Sequence, residues 1–230
     1  MTHVLRLRSG DRVAVFDGTG REIIASLTTA TPHRATARIL EQFPSRPSAH
    51  PRVALAQVVP RGAAMDLIVA KATELGAVRI FPLEGERSVR RAPASRSSRW
   101  MRIAQEAAEQ CGRRDLPEVA ATSTLETFLA GHPRETPLLA CENSQESQPL
   151  MAACQELRDA SSLTLLIGGE GGLSPAEVER LRSQGVRLVS LGPRILRAET
   201  AALAALAIIQ ARLGDWVVGP ERERGGRSEW

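Results

Sequence analysis

Glycines 168, 169, 171 and 172 enclose one carboxylate, Glu170, in the run Ile167-Gly-Gly-Glu-Gly-Gly-Leu-Ser174. Residues without a Cβ let a ligand lie against main chain. The run lacks the GKS or GKT of a Walker loop and the GxGxxG spacing of a dinucleotide fold. Glu170 would repel a phosphate; it suits a ligand with positive charge, ribose hydroxyls or an amine. A tight connection carrying an exposed glutamate is the other reading. A second turn, Leu191-Gly-Pro-Arg-Ile-Leu-Arg-Ala-Glu-Thr200, leaves Arg194 and Arg197 outside regular structure and puts Glu199 at a helix start, where the helix dipole favours an acid. Glu199 is then either a helix-start residue or a working carboxylate.

Other candidates stand further from these turns. Lys71 is the only lysine, all other basic residues being arginine, so a compact ammonium is singled out in Lys71-Ala-Thr-Glu-Leu-Gly76. A surface pair with Glu74 is the other reading, and the simpler one. Arg87, Arg90, Arg91, Arg96, Arg99 and Arg102 have only Glu86 at their edge, which fits a phosphate-contacting surface or a solvated face. Gly112 reads as a helix cap, with Arg113 and Arg114 beyond it facing nucleic acid or water. Cys111, Cys141 and Cys154 lack CxxC spacing, and His3, His33, His50 and His132 lack triad or metal spacing, so idle thiols and no metal site are expected.

Both glycine turns follow strand-like segments, 163–167 and 187–191, and precede helical patterns. That places them at the carboxyl ends of neighbouring strands, where open α/β sheets bind ligands. Upstream, strands 53–58, 78–82 and 138–141 alternate with helices 62–75, 97–110 and 150–158, which implies a mostly parallel sheet covered on both faces. Ser174-Pro-Ala-Glu177 carries the capping serine, first-turn proline and reciprocal glutamate of a helix start. The helix from Glu199 to Leu213 has alanine at 201, 202, 204, 205 and 207, from high helix propensity or for close packing in a threaded chain or subunit interface. Strands 12–16, 22–28 and 35–40 form a small β unit, and the proline-rich stretch 43–51 reads as a linker. The expected division is a β domain at 1–47, an α/β domain at 48–218 and a frayed tail at 219–230. With 230 residues, 43% apolar and 24% charged, the chain can bury a full core, and its net charge of +4 decides little about partners. The longest apolar run, 201–209, is too short to span a bilayer and no signal-peptide pattern opens the chain, so a cytoplasmic protein without membrane contact is expected.

The motifs together resemble the RsmE family of 16S rRNA uridine-N3 methyltransferases, of the SPOUT class. The resemblance runs from Val4-Leu-Arg-Leu-Arg-Ser-Gly-Asp11 and Phe16-Asp-Gly18 through Lys71 to Gly76, Glu84-Gly-Glu-Arg-Ser88 and Glu109-Gln-Cys-Gly-Arg113 to both glycine turns. It implies an α/β fold with a carboxy-terminal trefoil knot, a small barrel-like PUA-like domain, a homodimer, and S-adenosylmethionine as methyl donor to one uridine of 16S rRNA in the small ribosomal subunit. By the same resemblance, cofactor contacts fall on Leu139, Ala140, Cys141 and Glu142, on Ile167, Gly168, Gly169, Glu170, Gly171 and Gly172, and on Ser190, Leu191, Gly192, Ile195 and Leu196. Arg197 would stabilise charge on the uracil carbonyls, Glu199 would orient it or take the proton, and Arg6, Arg8, Lys71, Arg87, Arg113 and Arg194 would contact RNA. The chain departs from the pattern where Gly169 replaces a proline, which loosens the loop, and where it begins close to the segment at His3, which implies a small domain without its first strand. Rival readings are a methyltransferase of this class acting on another RNA and a noncatalytic RNA-binding or ribosome-assembly protein.

Overall fold

The structure, a computed structural model, describes residues 7–31, 34–45, 51–87 and 95–217. These fall into two compact units, one within 1–47 and 105–116, the other within 48–104 and 117–230. In the small unit, β1 (Arg12–Phe16), β2 (Glu22–Ala30) and β3 (Ala35–Phe43) form an antiparallel sheet in chain order. The β1–β2 hairpin closes on Asp17, whose Oδ1 accepts from the Thr19 amide at 2.8 Å and hydroxyl at 2.6 Å. Those bonds hold the Asp17 carboxyl below its ordinary range. Three strands make a marginal core, and the unit is completed by residues 105–116, which the sequence pattern assigns to the α/β domain. Leu116 N–H donates to Gly18 O at 3.0 Å, Gly20 N–H to Arg114 O at 3.2 Å, and Arg114 pairs with Glu22 at 2.6 Å.

The large unit is a parallel sheet. Its strands are β4 (Arg52–Val58), β5 (Arg79–Glu84), β6 (Glu118–Val119), β7 (Ser123–Thr124), β8 (Leu138–Cys141), β9 (Gln148–Pro149), β10 (Ser162–Ile167) and β11 (Arg187–Ser190). They run in the order β6-β5-β4-β10-β8-β11-β9, with β7 also on β5, and every pairing is parallel. Helices α1 (Ala64–Glu74), α2 (Ser95–Cys111), α3 (Leu125–Gly131), α4 (Leu150–Glu156), α5 (Pro175–Ser183) and α6 (Ala198–Arg212) alternate with them. Side chains alternate across each strand. Val53, Leu55, Leu139, Leu163, Leu165 and Val189 therefore join α1, α4, α6 and the start of α2 in one core. Ala56, Val58, Ala140, Leu166 and Leu188 join α3 and α5 in another. Burial on both faces explains why these strands read as continuous apolar runs. Among the described residues no helix is long and apolar enough to cross a membrane.

Ser174 caps α5 as the motif requires: its hydroxyl accepts from Glu177 N–H at 3.0 Å and Glu177 Oε2 accepts from Ser174 N–H at 2.7 Å. The elements that the pattern does not announce are the two-residue strands β6, β7 and β9 and the short α3, which is capped by Thr124, its side chain accepting from Thr127 N–H.

Candidate functional site

Strands β10, β8 and β11 lie side by side, and their carboxyl ends open on one cavity of about 420 Å3. The two glycine turns are therefore not on adjacent strands. β8 stands between them and adds a third wall through Cys141, Glu142 and Asn143. Residues 168–172 form one side and 191–196 the other, with Ala198 and Ala201 of α6 behind. A residue without a Cβ is obligatory at Gly168 in the first turn. A Cβ on Gly168 would lie 2.9 Å from the Gly172 carbonyl carbon and 3.0 Å from Leu173 N, both backbone atoms that cannot give way. At the second turn Gly192 has φ +103°, a left-handed conformation that side chains disfavour.

Several side chains outside the first turn hold it. Gln57, at the end of β4, donates through Nε2 to Gly168 O at 3.1 Å. Arg61 N–H donates to Glu170 Oε1 at 3.0 Å, with Arg61 Nε 3.8 Å from Oε2, so the charge of Glu170 is shared with an arginine instead of standing alone. Arg87 Nη1 donates to Gly171 O at 2.7 Å. The residue before it, Glu86, is fastened to the α5 start: its N–H donates to the buried Glu177 Oε1 at 2.9 Å and its Oε2 accepts from the Ser174 hydroxyl at 2.6 Å. Within the turn Gly172 N–H donates to Gly169 O at 3.0 Å. The carbonyls are thus largely engaged, and Gly169 faces Gly172 in an isolated antiparallel bridge, while the N–H groups of Glu170 and Gly171 make no hydrogen bond among the described residues. They remain as donors for a ligand.

Of the expected cofactor residues, Cys141, Glu142, Ile167, Gly168, Gly169, Glu170, Gly171, Gly172, Leu191, Gly192, Ile195 and Leu196 line the cavity. Leu139 and Ala140 do not. Both are fully buried in β8, one in each core, because the strand is covered on both faces until its last residue. Ser190 is also off the wall; its hydroxyl accepts from Gly192 N–H at 3.1 Å and shapes the turn. The pattern missed Asn143, Val189, Ala198 and Ala201, which line the cavity. Asn143 follows β8 directly, a place that the strand alone could have pointed to. Arg197 is exposed at the α6 N-cap and Glu199 half-buried in its first turn, and neither is among the lining residues.

The expected RNA contacts are dispersed. Arg194 lines the cavity. Arg6 lies outside the described residues, and Arg8 is exposed in the small unit. Lys71 is bound to both oxygens of Glu74, at 2.8 and 2.9 Å, which is the surface-pair alternative. Arg113 is not presented to a partner: its side chain is only 11% exposed and grips Asp115 in bidentate fashion at 3.1 and 2.9 Å. Arg90 and Arg91, from the basic stretch, lie outside the described residues.

No cluster of metal-ligating side chains occurs among the described residues, and all three cysteines are unbridged. Burial, with Glu142 adding to it, pushes the Cys141 thiol up to about 12, so it lines the cavity as an apolar thiol and not as a nucleophile. A larger depression, about 770 Å3, opens at the opposite, amino ends of β8 and β11 and is walled by Arg134, Glu135, Arg180 and Arg187. His132 lines it 3.1 Å from the Thr164 hydroxyl, and burial lowers its pKa.

Residues 47–210 match the family described as RNA methyltransferase domain, and residues 1–40 the family described as RNA methyltransferase PUA domain. The chain is 38% identical to ribosomal RNA small subunit methyltransferase E of Synechocystis over 93% of its own length and 70% of that protein's. It is 34% identical to the Bacillus subtilis protein of the same name, over 91% and 85%. Among solved structures it resembles the ribosomal RNA small subunit methyltransferase E of Neisseria gonorrhoeae bound to S-adenosyl methionine, with TM-score 0.84 and 33% identity over 91% of this chain and 86% of that one.

Proposed function

The chain belongs to the ribosomal RNA small subunit methyltransferase E family of RNA methyltransferases, and from that premise we propose that it methylates N3 of one uridine in 16S rRNA, with S-adenosylmethionine as donor. The observation that carries this reading is the main-chain cavity at the carboxyl ends of β10, β8 and β11. Its volume of about 420 Å3 is in the range of small-molecule sites. The walls suit the donor: glycine backbone at 168 and 172 admits close approach, unbonded amides at 170 and 171 meet acceptor atoms, and Ile167, Leu191, Ile195 and Leu196 offer apolar surface to a base. When bound, S-adenosylmethionine supplies a methyl group on a positively charged sulfur.

The chain's own residues must place uridine N3 against that methyl and help it lose the imide proton. Arg197 stabilises negative charge developing on the uracil carbonyls, as a preorganised donor aimed at charge that grows along the reaction. Glu199, two residues on, orients Arg197 or receives the proton. Arg194, at the cavity wall, holds a phosphate. Arg8 of the small unit contributes to holding the surrounding RNA, while the target base leaves its stack to reach the cavity.

On this reading the large unit is a SPOUT fold knotted through its last strands, and the order β4-β10-β8-β11 supports it. The active form is a homodimer. Support comes from α6, whose stretch 201–209 is apolar all round: Ala202, Ala205, Leu206 and Ile209 are buried in the core, while Ala201, Leu203 and Ile208 are only partly covered beside them.

The test is incubation with methyl-labelled S-adenosylmethionine and small subunits lacking the modification, followed by mapping of the labelled base. Label on N3 of one uridine is expected. Label on a ribose, on another RNA or nowhere would overturn the assignment.

A further inference from the structure

Strand β4 reads Arg-Val-Ala-Leu-Ala-Gln-Val, and its glutamine, Gln57, is wholly buried. Alternation places it on the face of Val53 and Leu55, in the core shared with α1 and α6, where an apolar residue belongs. An amide there is unfavourable unless its polar atoms are all bonded. They are not: Oε1 has no protein partner among the described residues. Nε2, by contrast, sits 2.8 Å from Val58 O, 3.1 Å from Gly168 O and 3.5 Å from Ile167 O. Ile167 is opposite Gln57 in the β4–β10 ladder and is the last residue of β10; Gly168 is the first beyond it. The amide donor therefore stands where the ladder ends and the glycine turn begins.

We propose that Gln57 is a positioning residue for the methyl-donor loop. A peptide group is planar, so holding Gly168 C=O fixes the plane of the whole 168–169 peptide and with it the direction in which the chain leaves β10. The side chain does not itself line the cavity and meets no reacting atom, since it grips the turn from behind, and a leucine or methionine would fill its place without an unbonded oxygen. What the glutamine adds is the donor to the loop. The first turn reaches its binding geometry before the donor molecule arrives, which lowers the ordering cost of binding.

This rests on the reading that the 420 Å3 cavity takes S-adenosylmethionine. Calorimetry with S-adenosylmethionine, thermal melts and steady-state kinetics on Gln57→Leu and Gln57→Met test it. Both variants are expected to bind S-adenosylmethionine about tenfold more weakly, the effect of one lost buried hydrogen bond. KM for S-adenosylmethionine rises with it, and KM for the RNA stays put. A folded variant whose affinity stays within about twofold of wild type overturns the proposal, even if its Tm has dropped, since a purely structural role predicts that pattern. No heat from the wild-type protein would instead remove the cofactor reading, and this proposal with it. If neither variant folds, the wild-type Gln57 side-chain amide protons, followed by nuclear magnetic resonance, decide. Slow exchange and a shift on adding S-adenosylmethionine are expected, and fast exchange or no shift overturns the assignment.

Discussion

The two glycine turns face each other across one cavity yet are built in different ways. The turn after β10 is gripped from outside by Gln57, Arg61 and Arg87. The turn after β11 is shaped by its own Ser190, which bonds both N–H and C=O of Gly192. Arg194, Ile195 and Arg197 stand exposed on it, Ile195 at 92%, and the two arginines make no side-chain hydrogen bond or ion pair among the described residues. A braced wall is suited to binding a donor molecule without rearrangement. A bare wall that carries two cations is suited to meeting the second reactant, whose arrival supplies the missing contacts. Binding and chemistry should therefore separate by turn.

The sharpest way to break that division is Arg197→Ala. Removing a donor that stabilises charge only in the transition state costs on the order of a hundredfold or more in kcat. Calorimetry should find the affinity for S-adenosylmethionine within about twofold of wild type, because Arg197 does not line the cavity. Unchanged turnover would take the bare turn out of the chemistry, and a loss of donor affinity as large as the loss of rate would erase the contrast.

Arg87→Ala probes the braced side. The bond to Gly171 O is charge-assisted and short, at 2.7 Å, but solvent-exposed, so its effect is smaller than that of a buried one. The affinity for S-adenosylmethionine should weaken about threefold to tenfold with little change in Tm, as read by calorimetry and a thermal melt. Equal affinity would show that the brace from the β5 side is idle. Arg87 was expected among RNA contacts, and a selective effect on RNA binding would return it to that role.

How far the sequence foretold this site depends on residue type. Glycines bunched after an apolar run announce a turn where backbone meets ligand, and the turns at 168–172 and 192 form the cavity. Ser174, Pro175 and Glu177 act within one helix turn, so their roles are readable locally. Leu139 and Ala140 were over-extended from the strand end because nothing local marks where a doubly covered strand emerges from its cores. Gln57 was invisible for the opposite reason. Its partners Ile167 and Gly168 are more than a hundred residues away, and until β10 is seen beside β4 a glutamine in that strand is only an interruption. The insertion of β8 between the two turns and the recruitment of 105–116 to the small unit are likewise long-range pairings without local periodicity.

The smallest effect is expected from Gly169→Pro, which restores the residue usual in the family that the chain resembles. The site accepts it on two counts. Gly169 lies outside the left-handed region, and a Cβ would meet only Val58, its Cγ1 at 3.3 Å; what proline gives up is the Gly169 N–H side of the isolated bridge to Gly172. The preceding residue is Gly168, whose missing side chain removes much of the clash that proline imposes on its neighbour. A proline in a compatible conformation stabilises by about 0.4–1 kcal/mol through the entropy of the unfolded chain. For a chain of this length that amounts to a rise of roughly 1–4 °C in Tm. The donor affinity should improve by no more than about twofold, because Gln57, Arg61 and Arg87 already order the loop and leave little freedom for proline to remove. A tenfold gain in affinity would mean that the braces do not hold the loop in the free protein, and the two turns would then differ far less than their contacts indicate.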